Sequence, residues 1–274
     1  MGDKTQALGP LQLNGNSLSY TYPGDKAHSN LLTTVTGFLI TLENTGSQSQ
    51  TPSQERVYHG ALNDATSPTI KNILVSTPGL ENEPNVIVTI FETIKSMNDK
   101  AGSVVDSQKG DPNLSARQAT RIIEMLDGST YARSSGDLPK KYPSMLKVNR
   151  GLLSSPNQKG YIDILAEQVA LVKQAANGDT ALLQHVQNTE YAIQDLRDWL
   201  QKIRTNAVLL LKAANLEDSV NVGIALQLKQ AAADSYTGKT IPPNQGPQPT
   251  LGSAGALQAY TECQYMATLD LKKL

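Results

Sequence analysis

A chain of 274 residues is long enough for one large domain or two ordinary ones, and its formal net charge of -1 gives no global field to hold a polyanion such as nucleic acid. Only 18% of residues are charged, whereas Ser, Thr, Asn and Gln supply about 30%, a neutral polar surface that suits an exported protein or an assembly subunit better than a cytosolic enzyme. Cys263, the single cysteine, excludes an intramolecular disulfide and any cysteine-rich zinc site, and its spacing between Tyr260 and Met266 reads as a small buried hydrophobe.

Residues 1–27 are rich in Gly, Asn, Ser and Pro and read as an extended arm with one short strand at Leu11–Leu13. The opening "MGDKTQALGP" has no apolar h-region, so it carries no signal peptide as it stands. The dense apolar run "SNLLTTVTGFLITLE" (Ser29–Glu43) admits helix or strand, and its length favours helix. Thr51 as cap, Pro52 at the first helical position and Gln54 then predict another helix start.

Glu83–Asp99 is expected to be a helix with Val86, Ile90 and Ile94 on one face. Ser115 and Gln118 predict a further start, closed by Gly128. From Gly128 to Ser155 periodicity is lost and Pro139 and Pro143 break any helix, so the main organisational boundary is placed there. The expected division is an arm over 1–27, an irregular, mainly helical region over 28–150, and a helical hairpin or bundle over 151–274.

After Ser155, Pro156 and Gln158, which repeat the cap pattern, Ile162, Leu165, Val169, Val172 and Ala176 step by three and four. "NGD" at Asn177–Asp179 supplies a stop and a turn. Leu182, Val186, Thr189, Ile193, Leu196, Leu200, Ile203, Ala207, Leu210 and Ala214 then alternate four and three without a slip, the seam of a helix lying along a partner. The short turn makes the preceding helix that partner, in an antiparallel αα-hairpin over Gln158–Asn177 and Thr180–Ala214. Val169, Val186, Ile193, Leu196, Trp199, Leu200, Ile203 and Leu210 are the expected helix-packing or interface residues. The helical pattern runs on to about Ala233 with a bend near Asn215–Val222, and a last helix over Ala254–Leu271 follows a Pro-rich stretch. The predicted fold is mainly α: a long antiparallel helical hairpin packed with shorter helices, with an irregular arm at the N-terminus.

Ala233–Thr240 nearly matches a phosphate-binding loop, ending in Gly238-Lys239-Thr240. Such a loop needs a strand before it and a helix beginning at its Lys-Thr, so that N–H groups and the helix terminus face the phosphates. Here a helix precedes it and "IPPNQGP" follows. His28, His59 and His185 are widely separated, with His185 on a polar helix face; His28 reads as part of a cap. Paired acids occur at Glu81/Glu83 and Asp195/Asp198, the latter with Lys202 one turn on as a solvated pair. No G-x-S-x-G, H-E-x-x-H or Cys/His nucleophile pattern exists, so the expectation is a non-enzymatic protein that needs neither cofactor nor metal.

Two stretches, "LLTTVTGFLITLENTGSQSQTPSQERVYHGALNDATSPTIKNILVSTPG" and "YIDILAEQVALVKQAANGDTALLQHVQNTEYAIQDLRDWLQKIRTNAVLLL", cover about a third of the chain. Through them the chain resembles the periplasmic IcmX family of Dot/Icm type IVB secretion systems. The resemblance implies a structural subunit exported to the periplasm, with its export signal and a first domain missing from this sequence. It implies work beside an inner-membrane channel component through which effectors pass, in hetero-assembly and with homo-oligomers as a further option. No binding residue carries over from it. The alternatives are a VirB5-like minor pilin or adhesin, which shares the helical-hairpin architecture, and a helical pore-forming toxin, for which "NAVLLLKAANL" is the one short candidate segment.

Overall fold

The computed structural model describes residues 5–26, 29–44, 46, 51–80, 83–142 and 145–274. His28, Glu81 and Pro143 lie outside the described residues. The chain divides into two compact units, residues 1–64 with 268–274, and residues 65–267.

The first unit is β-structured. Strands β1 (Gln12–Asn14) and β2 (Ser17–Ser19) form a hairpin in which Leu13 sits opposite Leu18. A three-stranded antiparallel sheet has the order β3 (Gly37–Thr41), β4 (Arg56–Ala61), β5 (Lys272–Lys273). The helix expected over Ser29–Glu43 is therefore corrected to a single 3₁₀ turn at Leu31–Thr33 followed by β3. Pairing decided it: Leu39 faces His59 and Ile40 faces Tyr58, giving β-branched and aromatic side chains the cross-strand contacts they favour. Gly37 permits the approach, since a Cβ there would lie 2.5 Å from the Gly60 carbonyl oxygen. Thr51-Pro52-Gln54 likewise starts no helix. Ser53 N–H donates to Glu43 Oε1 at 2.8 Å and Ser53 Oγ–H to the Leu42 carbonyl at 2.6 Å, which leads the chain into β4.

The second unit is helical: α1 (Ser67–Leu74), α2 (Val86–Ser107), α3 (Pro112–Asp127), α4 (Ser129–Ser134), α5 (Tyr161–Ala175), α6 (Thr180–Lys212), α7 (Ser219–Thr237) and α8 (Ala256–Tyr265). Its caps explain its boundaries. Asn85, Asp111, Asp179 and Asp218 each accept a first-turn N–H through the side chain, at Val88, Leu114, Leu182 and Val220. Ser115, expected as a cap, is instead buried inside α3, and its hydroxyl donates to the Val104 carbonyl of α2 at 2.9 Å. Ser155 and Gln158 close a small bridged turn, so α5 begins at Tyr161 and not at Pro156. The bend expected near Asn215–Val222 is a full break between α6 and α7, and α8 stops at Tyr265, short of Leu271.

The antiparallel hairpin is present. Asn177 and Gly178, with φ of 43° and 85°, make its turn. Lys173 pairs with Glu190 at 2.9 Å and Asp163 with Arg197 at 2.7 Å, so moving back along α5 means moving forward along α6. Helix α6 also packs on α3, α7 and α8, and α2 packs on α1, α3, α5, α7 and α8. These two long helices form the centre of the unit. Val86, Ile90, Ile94, Met97, Ala101 and Val104 of α2 have no exposed surface, and each large one contributes about 1.5–3 kcal/mol by leaving water. The interval Gly128–Ser155 lies inside this unit, fastened to α3 and α4 by side chains described below. Among the described residues no helix is long and apolar enough to cross a membrane.

Candidate functional site

The expected helix-packing positions, Val169 on α5 and the rest on α6, are the first candidate. Val169, Val186, Leu196, Leu200 and Ile203 have no exposed surface, and Ile193, Leu210 and Trp199 retain only 3%, 2% and 7%. All eight are filled by the chain's own neighbouring helices. Because four helices surround α6, burial is broader than a two-position stripe and takes in Ala192, Asp195 and Leu211.

The segment Gly238-Lys239-Thr240 has the wrong geometry for phosphate. Gly238 ends α7 with φ 87°, a left-handed conformation that glycine adopts without strain. Lys239 N–H donates to the Ser253 carbonyl at 2.8 Å, and Ser253 Oγ–H donates back to the Lys239 carbonyl at 2.6 Å. The loop is sewn to the segment before α8, so its donor faces protein.

His59 lies on β4. His185 faces α8, with Nδ1 2.7 Å from Glu262 Oε2 and its ring 5.3 Å from that of Tyr265. Cys263 is fully buried, and desolvation pushes its thiol up to about 12, which suppresses the thiolate needed for nucleophilic or redox chemistry. Among the described residues no group of three or more His, Cys, Asp or Glu side chains could hold a metal ion.

Three buried acids do construction work. Asp195 accepts N–H groups of Gly252 and Ala254 at 2.8 and 3.1 Å; burial raises its carboxyl above the usual range despite these bonds. Asp198 stays exposed. Glu124, with no exposed surface, accepts from the N–H groups of Met145 and Leu146. Asp127 pairs with Arg204 at 2.8 Å; burial raises its carboxyl, and the guanidinium offsets only part of that. The same Arg204 reaches Asp137 at 2.7 Å, and Lys212 joins at 3.2 Å. Burial pushes Asp137 upward, but hydrogen bonds and charge from Arg204 and Lys212 outweigh it and hold its carboxyl below the usual range.

A solvent-facing depression of about 380 Å³ lies between α2, α3 and the Met145–Leu146 segment that Glu124 holds. Asp99, Lys100 and Ser103 come from α2, Gln118 and Arg121 from α3. No sequence motif marks this cleft, because its parts lie on three segments up to 47 positions apart. A signal for Glu124 does exist: it is an acid flanked by Ile122, Ile123, Met125 and Leu126, in the last turns of α3 where every residue from Ile122 to Asp127 is buried.

No family model matches the chain, and no curated protein or solved structure matches it either.

Proposed function

We propose that this chain is a non-enzymatic structural subunit of a bacterial type IV, Dot/Icm-like secretion apparatus, working in the periplasm at the effector translocation channel. The observation that carries the reading is a contrast in burial. The helical unit fills its own core, whereas in the first unit only Gly60 and Leu62 among the described residues are buried. That unit instead leaves Leu13, Leu18, Phe38, Leu39, Leu42 and Tyr58 exposed at 37% or more. Small sheets without a core are marginal alone, and an apolar surface of this kind gains stability when another protein covers it.

A helical unit with a filled core, in one chain with short strands whose apolar side chains are exposed, suits a subunit that acts by being held in an assembly. The buried thiol and the loop-fastening role of the acids support action through contacts in place of turnover, and the resemblance to the IcmX family supplies the particular machine. The test is deletion of the gene in its source cells, with effector delivery and the protein's own compartment both measured. Lost delivery with the protein in the periplasm supports the proposal. Intact delivery with the protein in the cytosol overturns it.

A further inference from the structure

We propose that two copies of this chain pair through strand β1 of the N-terminal hairpin, building one four-stranded sheet across a two-fold axis. The proposal rests on the reading of the first unit as a contact surface and names the partner for one part of it. Three observations single out the hairpin. From Thr5 to Gly24 the sequence carries no charged residue. Every residue of β1 and β2 is exposed, and the two strands pack on each other and on no other helix or strand. The hairpin is nevertheless closed by its own chain. Gly15, with φ 62°, opens a two-residue turn, and Tyr20 Oη–H donates to the Leu8 carbonyl while its ring lies against Gly9.

Side chains alternate along a strand, so Leu13 and Leu18 share one face, exposed at 71% and 61%, while Gln12, Asn14, Ser17 and Ser19 share the other. On that polar face Asn14 Nδ2–H donates to Ser19 Oγ at 2.9 Å. Beside a two-residue turn the closing pair, Asn14 with Ser17, exchanges its backbone hydrogen bonds inward. Leu13 and Leu18 form the next pair, so their backbone N–H and C=O groups point outward to the two free edges. Natural edge strands block such a template with charge, proline or a bulge, and neither β1 nor β2 has any of the three.

The order of residues selects a second copy as the occupant. β1 reads amide, leucine, amide, so an antiparallel copy centred on Leu13 sets Leu13 beside its own counterpart and Gln12 beside Asn14 of the second copy. The two leucines exchange backbone N–H and C=O, and the neutral amides both donate and accept, so no like charges meet. The axis stands perpendicular to the sheet, which keeps the Leu13 and Leu18 side chains of both copies in one row on one face. A two-stranded hairpin is marginal in water, whereas four strands with an apolar face are not. β1 is the edge used because Leu13 is the more exposed leucine and amides reach further across the gap than the serine hydroxyls of β2.

The test uses the purified whole chain with no secretion component present, so failure here is distinct from failure of the secretion reading. Sedimentation equilibrium from about 5 to about 500 µM covers the range expected of so small an interface. A reversible monomer–dimer equilibrium is expected. Leu13→Lys sets two ammonium groups together at the axis and should weaken pairing about tenfold or more, with helical circular dichroism unchanged. Charge also tests the register. Gln12→Lys with Asn14→Lys, and Gln12→Glu with Asn14→Glu, should each give a monomer alone and a mixed dimer when combined. A chain monomeric at every concentration, an assembly larger than a dimer, full association in Leu13→Lys, or two charge variants that stay apart on mixing would overturn the proposal.

Discussion

The Glu124 carboxylate, fully enclosed within α3, accepts the backbone N–H of Leu146 at 2.8 Å across 22 residues of chain. A carboxyl group in the interior is tolerated because the backbone donors replace its lost water. The irregular segment after α4 is thereby given a fixed course where it has no ladder of its own. Glu124→Ala removes the acceptor of two half-buried N–H donors, so a loss of about 1–3 kcal/mol in urea unfolding is expected. Amide exchange at Met145 and Leu146 should quicken more than exchange in α5. Unchanged exchange at those two positions would contradict the clamp.

Arg204 links α6 to Asp127 at the end of α3 and to Asp137 beyond α4. Arg204→Leu would strand the Asp127 carboxylate, whose side chain is only 3% exposed. A loss of about 2–3 kcal/mol is expected, below the figure for a fully buried pair because Arg204 keeps 20% exposure. Adding Asp127→Asn should recover part of that loss. Strict additivity of the two substitutions in a double-mutant cycle would show that the pair is uncoupled.

Acid titration separates two kinds of aspartate. Asp137 and Asp163 are pushed up by burial, yet their hydrogen-bonding and cationic partners outweigh it and hold both carboxyls below the ordinary value of about 3.9. The folded state then binds fewer protons than the unfolded one. The stability they contribute is complete above about pH 4 and is lost as pH falls through the depressed folded values. Asp127 and Asp195, raised by burial, act with the opposite sign: their contribution is present below the ordinary value and lost as pH rises through the raised ones. Asp137→Asn should therefore flatten the fall in stability below about pH 4. A steeper fall in that variant, followed by chemical unfolding at each pH, would reverse the assignment.

Much of this architecture was legible because helices repeat a local rule. Val169, Leu196 and Leu200 announce their burial through spacing, and Asn177-Gly178-Asp179 announces a helix stop and a turn. Leu39 and Ile40 could not be read in the same way. A short β-branched apolar run has no distinctive period, and its partners lie at Tyr58 and His59, with β5 joining from Lys272–Lys273 at the other end of the chain. The cleft was illegible for a related reason: Lys100, Arg121 and Met145 meet only through the packing of α2 on α3 and the Glu124 clamp.

Cys263 offers a direct probe of core integrity. Its thiol, fully buried and pushed up to about 12, should resist alkylation by iodoacetamide at pH 8 in the native protein and react at once in concentrated urea. Fast labelling of the native chain would mean that α8 leaves the bundle readily.

The most direct test of the central claim is site-specific photocrosslinking in the source cells, with the photoreactive residue placed at Phe38 or Leu42, exposed at 40% and 62%, and at buried Leu200 as the control. Recovery of secretion-channel proteins from Phe38 and Leu42, and none from Leu200, is the predicted result. A chain that remains uncrosslinked in the cytosol at all three positions would contradict the account, and crosslinks to lipid alone would favour a membrane-acting toxin over an assembly subunit.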